Sequence, residues 1–69
     1  MAAMEILLNG EAHTVADGTT VQALLEQAGQ AGRKVAVEIN LAVVPRSGHA
    51  SHVLAEGDRV EIIRAIGGG

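Results

Sequence analysis

Residues 5–15, EILLNGEAHTV, predict a β-hairpin, and this hairpin decides how the rest of the chain is arranged. Asn9-Gly10 is the strongest two-residue hairpin signal, because both residues tolerate a positive φ. A short apolar run precedes the pair, and a weakly alternating segment follows it and is closed by Asp17-Gly18. We therefore expect two antiparallel strands across residues 4–15.

An amphipathic helix is predicted directly after the hairpin. Its apolar stripe follows the spacing i, i+3, i+4, i+7 and consists of Val21, Leu24, Leu25 and Ala28. Thr19 as the N-cap would place Gln22 at the third helical position, which is the arrangement of a capping box. Gly29 is the expected C-cap position, because glycine tolerates the left-handed conformation that ends many helices.

Three more strands are predicted in the second half of the chain. Val35–Ile39 is β-branched and alternating, and Asn40 suits a left-handed turn before a short strand over Leu41–Val44. Pro45 ends that strand because it lacks a backbone donor. Arg59–Arg64 forms the last strand.

The segment between the last two strands is predicted to be mostly irregular. Residues 46–52 are polar with at most one helical turn, and Val53-Leu54 is an apolar anchor. Glu56-Gly57-Asp58 is typical of a turn, with both carboxylates in solvent.

This order of elements predicts an α+β protein of the β-grasp, ubiquitin-like class. One helix packs on one face of a mixed sheet of four to five strands, because neither layer can bury its apolar side alone. We expect residues 1–66 to form a single domain and residues 67–69 to form a flexible glycine tail.

Composition excludes several functions. The chain has 69 residues, so one small domain is expected, with little room for an enclosed catalytic pocket. A net charge of −3 and the lack of aromatic residues make nucleic-acid binding improbable. Zero cysteines exclude disulfides, thiolate metal sites and a cysteine nucleophile. The sequence shows neither a signal peptide nor a membrane span, and we expect a cytoplasmic location.

Ordinary catalytic and metal motifs are weak in this chain. His49 and His52 could meet on one helical turn, but no third metal ligand is evident, so two solvated histidines are the preferred interpretation and no metal is expected. Ser47 or Ser51 beside a histidine lacks an identifiable oxyanion donor. No glycine opens a helix in the way that a phosphate-binding loop requires.

The residues that remain are the terminal glycines, Gly67, Gly68 and Gly69. A frayed end is one interpretation. Alternatively, a tail without Cβ atoms can enter a slot too narrow for other residues, and five residues from Ala65 extend up to ~17 Å. Such a tail could carry a carboxylate from the domain into an enzyme's active site.

A docking surface for such an enzyme is predicted near the tail. The last strand alternates, and Ile63 is an apolar residue on its outward face, although a buried edge position is the other interpretation. The outward interpretation gives a small partner-binding patch made of Ile63, Arg59, Arg64, Ile66 and Arg46.

These features together resemble the ThiS family, the sulfur carrier proteins of bacterial thiamine biosynthesis. The resemblance is carried by Val37-Glu38-Ile39-Asn40, by Val43-Val44-Pro45-Arg46, by residues 54–62 and by the final Gly68-Gly69. It extends over residues 4–69. Each motif is weak alone, whereas a short β-grasp pattern joined to Gly-Gly is specific.

The resemblance implies a protein co-substrate rather than an enzyme. In such a system, a ThiF-like adenylating enzyme uses ATP to convert the Gly69 carboxylate to an acyl-adenylate. A persulfide donor then gives a thiocarboxylate, and a ThiG-like thiazole synthase takes the sulfur. Gly67 and Gly68 form the threading tail. The carrier itself binds no cofactor, nucleic acid or membrane, and is expected to be monomeric when free.

Two alternatives stay open at this stage. One is a carrier for another sulfur pathway, such as the small subunit of molybdopterin synthase, although that family is usually longer and Arg64-Ala65-Ile66 stands here in place of its Pro-Pro-Val-type segment. The other is a β-grasp protein-binding module with an inert tail.

Overall fold

The computed structural model describes residues 2–64, which form a five-stranded sheet and one short α-helix. In chain order, these elements are β1 (Ala3–Leu8), β2 (Glu11–Ala16), α1 (Val21–Gln27), β3 (Val35–Ile39), β4 (Ala42–Val44) and β5 (Arg59–Arg64). A 3₁₀ turn over Arg46–Gly48 accounts for the single helical turn predicted in residues 46–52.

The sheet is mixed, with the strand order β2-β1-β5-β3-β4. The first and last strands are neighbours and run parallel, pairing Leu7 with Arg59 and Leu8 with Val60. The other three pairings are antiparallel. This arrangement confirms the predicted β-grasp fold, with five strands rather than four.

The predicted hairpin turn is present and is also attached to β5. Asn9 has a φ of 50° and Gly10 a φ of 86°, both in the left-handed region that the Asn-Gly pair favours. The Asn9 side-chain oxygen accepts a hydrogen bond from the Ile62 N–H at 2.9 Å, and the Asn9 N–H donates to the Val60 carbonyl at 2.9 Å. The turn therefore continues the contact between β1 and β5 beyond their two paired positions.

The start of α1 differs from the sequence prediction by one residue. The N-cap is Thr20, whose hydroxyl oxygen accepts from the Ala23 N–H at 3.1 Å. Thr19 is buried, and its carbonyl accepts from the Leu54 N–H while its hydroxyl donates to the Ala16 carbonyl. Thr19 is therefore held in the preceding loop, and the predicted capping box with Gln22 is wrong.

The end of α1 is a Schellman motif. The Gln30 N–H donates to the Leu25 carbonyl and the Gly29 N–H to the Glu26 carbonyl, with Gly29 at a φ of 72°. Gly29 therefore takes the predicted left-handed position, one residue after the C-cap Ala28. Ala28 is exposed, so it does not belong to the buried stripe predicted for it.

One apolar core lies between α1 and the inner face of the sheet. Its buried side chains come from all five strands, the helix and the loop before β5: Met4, Ile6, Val15, Val21, Leu24, Leu25, Val37, Ile39, Val44, Leu54 and Val60. Val35 and Ile62 pack against it, as their alternation predicted. Val53 is exposed, so only Leu54 of the predicted apolar pair is an anchor.

The turn between β3 and β4 also differs from the prediction. Asn40 has the expected left-handed backbone, with a φ of 52°, but Leu41 shares it at 72°. Leu41 therefore belongs to the turn, and β4 begins at Ala42.

Replacing the helix N-cap, Thr20→Ala, is expected to lower the free energy of unfolding by about 1 kcal/mol, because the Ala23 N–H loses its acceptor. In a domain of this size the melting temperature should fall by about 4–8 °C. Thermal unfolding followed by circular dichroism measures the change. Ser47→Ala, which removes an exposed hydroxyl, is the control; equal melting temperatures for the two variants would contradict the cap assignment.

Candidate functional site

The candidate site lies at the C-terminal end of β5. β5 is the central strand, held by β1 on one side and β3 on the other. Ile66, Gly67, Gly68 and Gly69 lie outside the described residues. The structure therefore bears on the surface around the last described residue, Arg64.

Ile63 is exposed on the open face of the sheet, opposite the helix. Its side chain retains 47% of its accessibility, which contradicts the buried interpretation. Its partner across the strand pair is Ala36, whose small side chain leaves Ile63 uncovered. Arg46 and Arg64 line the same shallow depression of about 360 Å³, together with Lys34, Val35 and Ala36. We call these six residues the Ile63 patch.

The Ile63 patch is basic in an otherwise acidic protein. Lys34, Arg46 and Arg64 are three of the five lysines and arginines in the chain, whose net charge is −3. The patch thus combines a partly exposed apolar centre with cationic edges at the exit of β5. An apolar centre with a charged rim is the anatomy of a transient protein interface.

The structure separates Arg59 from the other predicted partner-binding residues. Arg59 stands at the beginning of β5 and lines a different depression, whereas Ile63 and Arg64 stand at its end. Arg59 and Ile63 lie on the same outward face of the strand but are four residues apart, which corresponds to about 13 Å. Arg46 belongs to the 3₁₀ turn that follows β4, and it lines the same depression as Ile63 although the two residues are distant in sequence.

Three residues of the Ile63 patch, Lys34, Val35 and Ala36, were not predicted from the sequence to belong to it. They enter it because β3 runs antiparallel to the end of β5, with Val35 opposite Arg64 and Ala36 opposite Ile63. The basic pair Arg33-Lys34 just before β3 was the available signal. Its use required knowing which strand lies beside β5.

The histidines of residues 49–52 do not form a solvated pair. His49 is buried at 5% exposure, and its Nε2 lies 3.1 Å from the Val44 carbonyl, while His52 is half-buried. The solvated interpretation is therefore wrong for His49. Its contact with the Val44 carbonyl joins the end of the 3₁₀ turn to the end of β4. Among residues 2–64, no group of three or more potential metal-ligating side chains comes together.

Asp58 is a structural residue rather than a solvated turn carboxylate. It is buried, and its Oδ2 accepts from the Ala55 N–H at 2.8 Å while its Oδ1 accepts from Asn40 Nδ2 at 3.1 Å. Asn40 in turn accepts from the Arg59 N–H at 3.0 Å. These hydrogen bonds join the β3–β4 turn to the beginning of β5, and so position the strand that carries the site.

Comparison with known proteins identifies the family. The ThiS family profile matches residues 6–69. The sulfur carrier protein ThiS of Escherichia coli K12 is 41% identical over 66 residues, covering 96% of this chain and all of that protein. The crystal structure of the thiamine biosynthesis protein ThiS from Geobacter metallireducens superposes with a TM-score of 0.82 at 33% identity, covering 96% of this chain and 100% of that one. The chain belongs to the ThiS family.

Family membership confirms the resemblance predicted from the sequence. The role predicted for this chain agrees with the printed name of the Escherichia coli relative, which is a sulfur carrier protein. The same matches favour the ThiS family over the molybdopterin carrier that the sequence left open.

Longer relatives contain a similar domain. Proteins named thiazole synthase are 46% identical in Paramagnetospirillum magneticum and 50% identical in Magnetococcus marinus, each over 66 residues. Those matches cover 96% of this chain but only 20% of each relative, so this chain spans about a fifth of their length. These names connect the domain with thiazole synthase. In the described part of this chain, α1 is too short to cross a membrane.

Proposed function

We propose that this protein carries sulfur as a thiocarboxylate on Gly69 and delivers it to a thiazole synthase. A ThiF-like adenylating enzyme first joins the Gly69 carboxylate to the AMP portion of ATP, releasing pyrophosphate. A persulfide sulfur then displaces AMP, and reduction of the resulting acyl disulfide by a thiol leaves the thiocarboxylate. A carboxylate is a poor acyl donor, so activation must precede sulfur transfer.

The observation that carries this proposal is the Ile63 patch at the exit of β5, in a chain of the ThiS family. The carrier has to present its tail to enzymes without covering the reactive end. β5 is paired with a strand on each side, so the strand that leads to the tail is held in a fixed position. The exposed Ile63 side chain offers an apolar contact to an enzyme that binds the carrier. Ordering a tail costs about 1–2 kcal/mol per residue, which contacts on the patch can offset.

The thiazole synthase is the favoured acceptor because relatives of that name include a domain 46–50% identical to this chain. ATP is used by the adenylating enzyme, and the carrier itself requires no bound cofactor. We place these steps in the cytoplasm, where ATP and persulfide donors are available.

Intact mass spectrometry tests the proposal. The full chain is incubated with ATP, the adenylating enzyme of the same organism and a persulfide donor. We expect a mass gain that corresponds to one sulfur replacing one oxygen, located by fragmentation at Gly69. The proposal is wrong if the enzyme modifies a known carrier but leaves this chain unchanged.

Placing a charge at the centre of the patch, Ile63→Asp, is expected to weaken the adenylating enzyme's use of the carrier about tenfold, seen as a higher KM in pyrophosphate exchange. The melting temperature should change by only a few degrees, because Ile63 is 47% exposed. Val53→Asp, at an exposed apolar position away from the patch, is the matched control. If Ile63→Asp strongly lowers the melting temperature but leaves the KM unchanged, Ile63 contributes to packing of the domain and not to the interface.

A further inference from the structure

Two turns in this protein have similar positive φ angles at two successive positions but different residues there. The β1–β2 turn uses Asn9 and Gly10, with φ values of 50° and 86°, and the β3–β4 turn uses Asn40 and Leu41, with φ values of 52° and 72°. Glycine is the residue that this second position favours, because other side chains strain the left-handed backbone. If stability alone determined the residue at position 41, glycine would be expected there, as at position 10 in the first turn.

Leu41 is unfavourable at its position in a second respect. Its side chain is 81% exposed, the largest fraction among the exposed large apolar residues of the described chain. The left-handed backbone costs stability in the isolated protein, and the exposed leucine gains no burial energy to offset that cost. Residues that break local rules without structural compensation tend to mark functional surfaces.

Leu41 borders a depression on the open face of the sheet. The depression measures about 330 Å³, and its lining side chains include Leu7, Glu38, Leu41, Arg59 and Glu61. Leu7 is itself 38% exposed. We call these five residues the Leu41 cleft. It lies around the beginning of β5, whereas the Ile63 patch lies at the end of that strand.

The cleft also contains two opposed carboxylates. Glu38 on β3 pairs directly with Glu61 on β5, and like charges in such cross-strand positions repel each other. Neither carboxylate has a hydrogen bond or ion pair with another residue of the described chain. Arg59 offsets part of the charge, and the cleft keeps a net charge of −1 beside two exposed leucines. Its best complement is a cationic side chain next to an apolar one.

We propose that the Leu41 cleft is a second docking surface, on which the thiazole synthase places a lysine or arginine together with an apolar side chain. This inference rests on the proposed function. The thiazole synthase is chosen because in relatives of that name a domain 46–50% identical to this chain lies in the same polypeptide. The Ile63 patch then serves the threading of the tail, and the Leu41 cleft holds the acceptor enzyme to the far end of the carrier.

The test compares Leu41→Gly with the wild type in stability and in binding. We expect the melting temperature to rise by about 2–4 °C, because the turn becomes the unstrained Asn-Gly type. Binding to purified thiazole synthase, followed by titration calorimetry, should weaken about tenfold through the loss of one buried leucine. Glu38→Gln with Glu61→Gln should also be more stable and bind less tightly, and its binding should depend less on salt. Glu11→Gln combined with Glu56→Gln, at two exposed positions outside the cleft, is the control for the change in charge.

The outcomes separate this inference from the proposed function. Wild-type and Leu41→Gly carriers that accept sulfur equally, with only the variant losing affinity for the synthase, support the cleft. Equal affinity within twofold, or no binding of the wild type to the synthase, overturns it. A variant that instead loses use by the adenylating enzyme assigns the cleft to that enzyme and also overturns the inference. Failure of the wild type to accept sulfur overturns the proposed function.

Discussion

Deletion of Gly69 is expected to abolish formation of the thiocarboxylate while the domain stays folded. The deletion moves the carboxylate back by one residue, so that it no longer reaches the position where the adenylating enzyme holds ATP. Among residues 2–64, the buried core side chains lie between Met4 and Val60, and Gly69 has no side chain to pack, so its removal should leave this core intact. Intact mass after incubation with ATP, the adenylating enzyme and a persulfide donor measures the loss, and the melting temperature checks the fold.

Two substitutions refine this result. Gly67→Ala should be modified better than Gly68→Ala, because the residue nearer the reactive end passes through the narrower part of an active site that admits glycine. Both variants keep the length of the tail, and therefore serve as controls for the deletion. A Gly69-deleted chain that still acquires sulfur at the wild-type rate would contradict the assignment of the reactive carboxylate.

Asp58→Ala is expected to lower the free energy of unfolding by about 2–3 kcal/mol, because it leaves the Ala55 N–H and the Asn40 amide without their acceptor. For a chain of 69 residues, this corresponds to a fall in melting temperature of about 10 °C or more. Denaturant unfolding at neutral pH measures the free energy directly.

The conservative variant gives a graded control. Asp58→Asn keeps one acceptor oxygen but presents an amide group where a second acceptor is needed, so it should lose roughly half as much stability as Asp58→Ala. Glu56→Gln, in the same turn but exposed, changes the charge by the same amount. If Asp58→Ala and Glu56→Gln unfold at the same denaturant concentration, the network does not support β5 in the way described.

The fold was predictable because its local signals agree with its packing. Asn9-Gly10 fixes the first turn, and the alternation of Val35, Val37 and Ile39 matches the buried face of β3. The predicted order of elements then leaves one helix to cover one sheet. Each of these signals depends on residues that are close in sequence, so each could be recognised without knowledge of the tertiary structure.

The errors arise where a tertiary contact or an unusual backbone conformation overrides the local sequence pattern. Thr19 resembles an N-cap as well as Thr20 does, and the hydrogen bond from Leu54 decides between them. His49 and Asp58 look like solvated polar residues until β4 and Asn40 supply their partners. Leu41 looked like the start of a strand, because leucine is unusual in a left-handed turn.

The candidate site was predictable in its residue types more than in its arrangement. Ile63 stood out because it breaks the alternation of β5, and Arg64 follows it directly. Arg46 joins them only through the path of the chain after β4, and Arg59 is kept apart by the length of the strand. Spacing along a single strand predicts a shared face, but it does not place the loops that complete a surface.

The pairing of β1 with β5 has a consequence for how the protein is made. Because β1 has its central neighbour in β5, the two halves of the sheet cannot join until the chain through β5 has been synthesised. Contacts of such large sequence separation slow folding. A prematurely terminated chain that lacks β5 would expose the apolar surfaces of both halves to proteases. Folding of the domain therefore depends on a chain that is complete through β5.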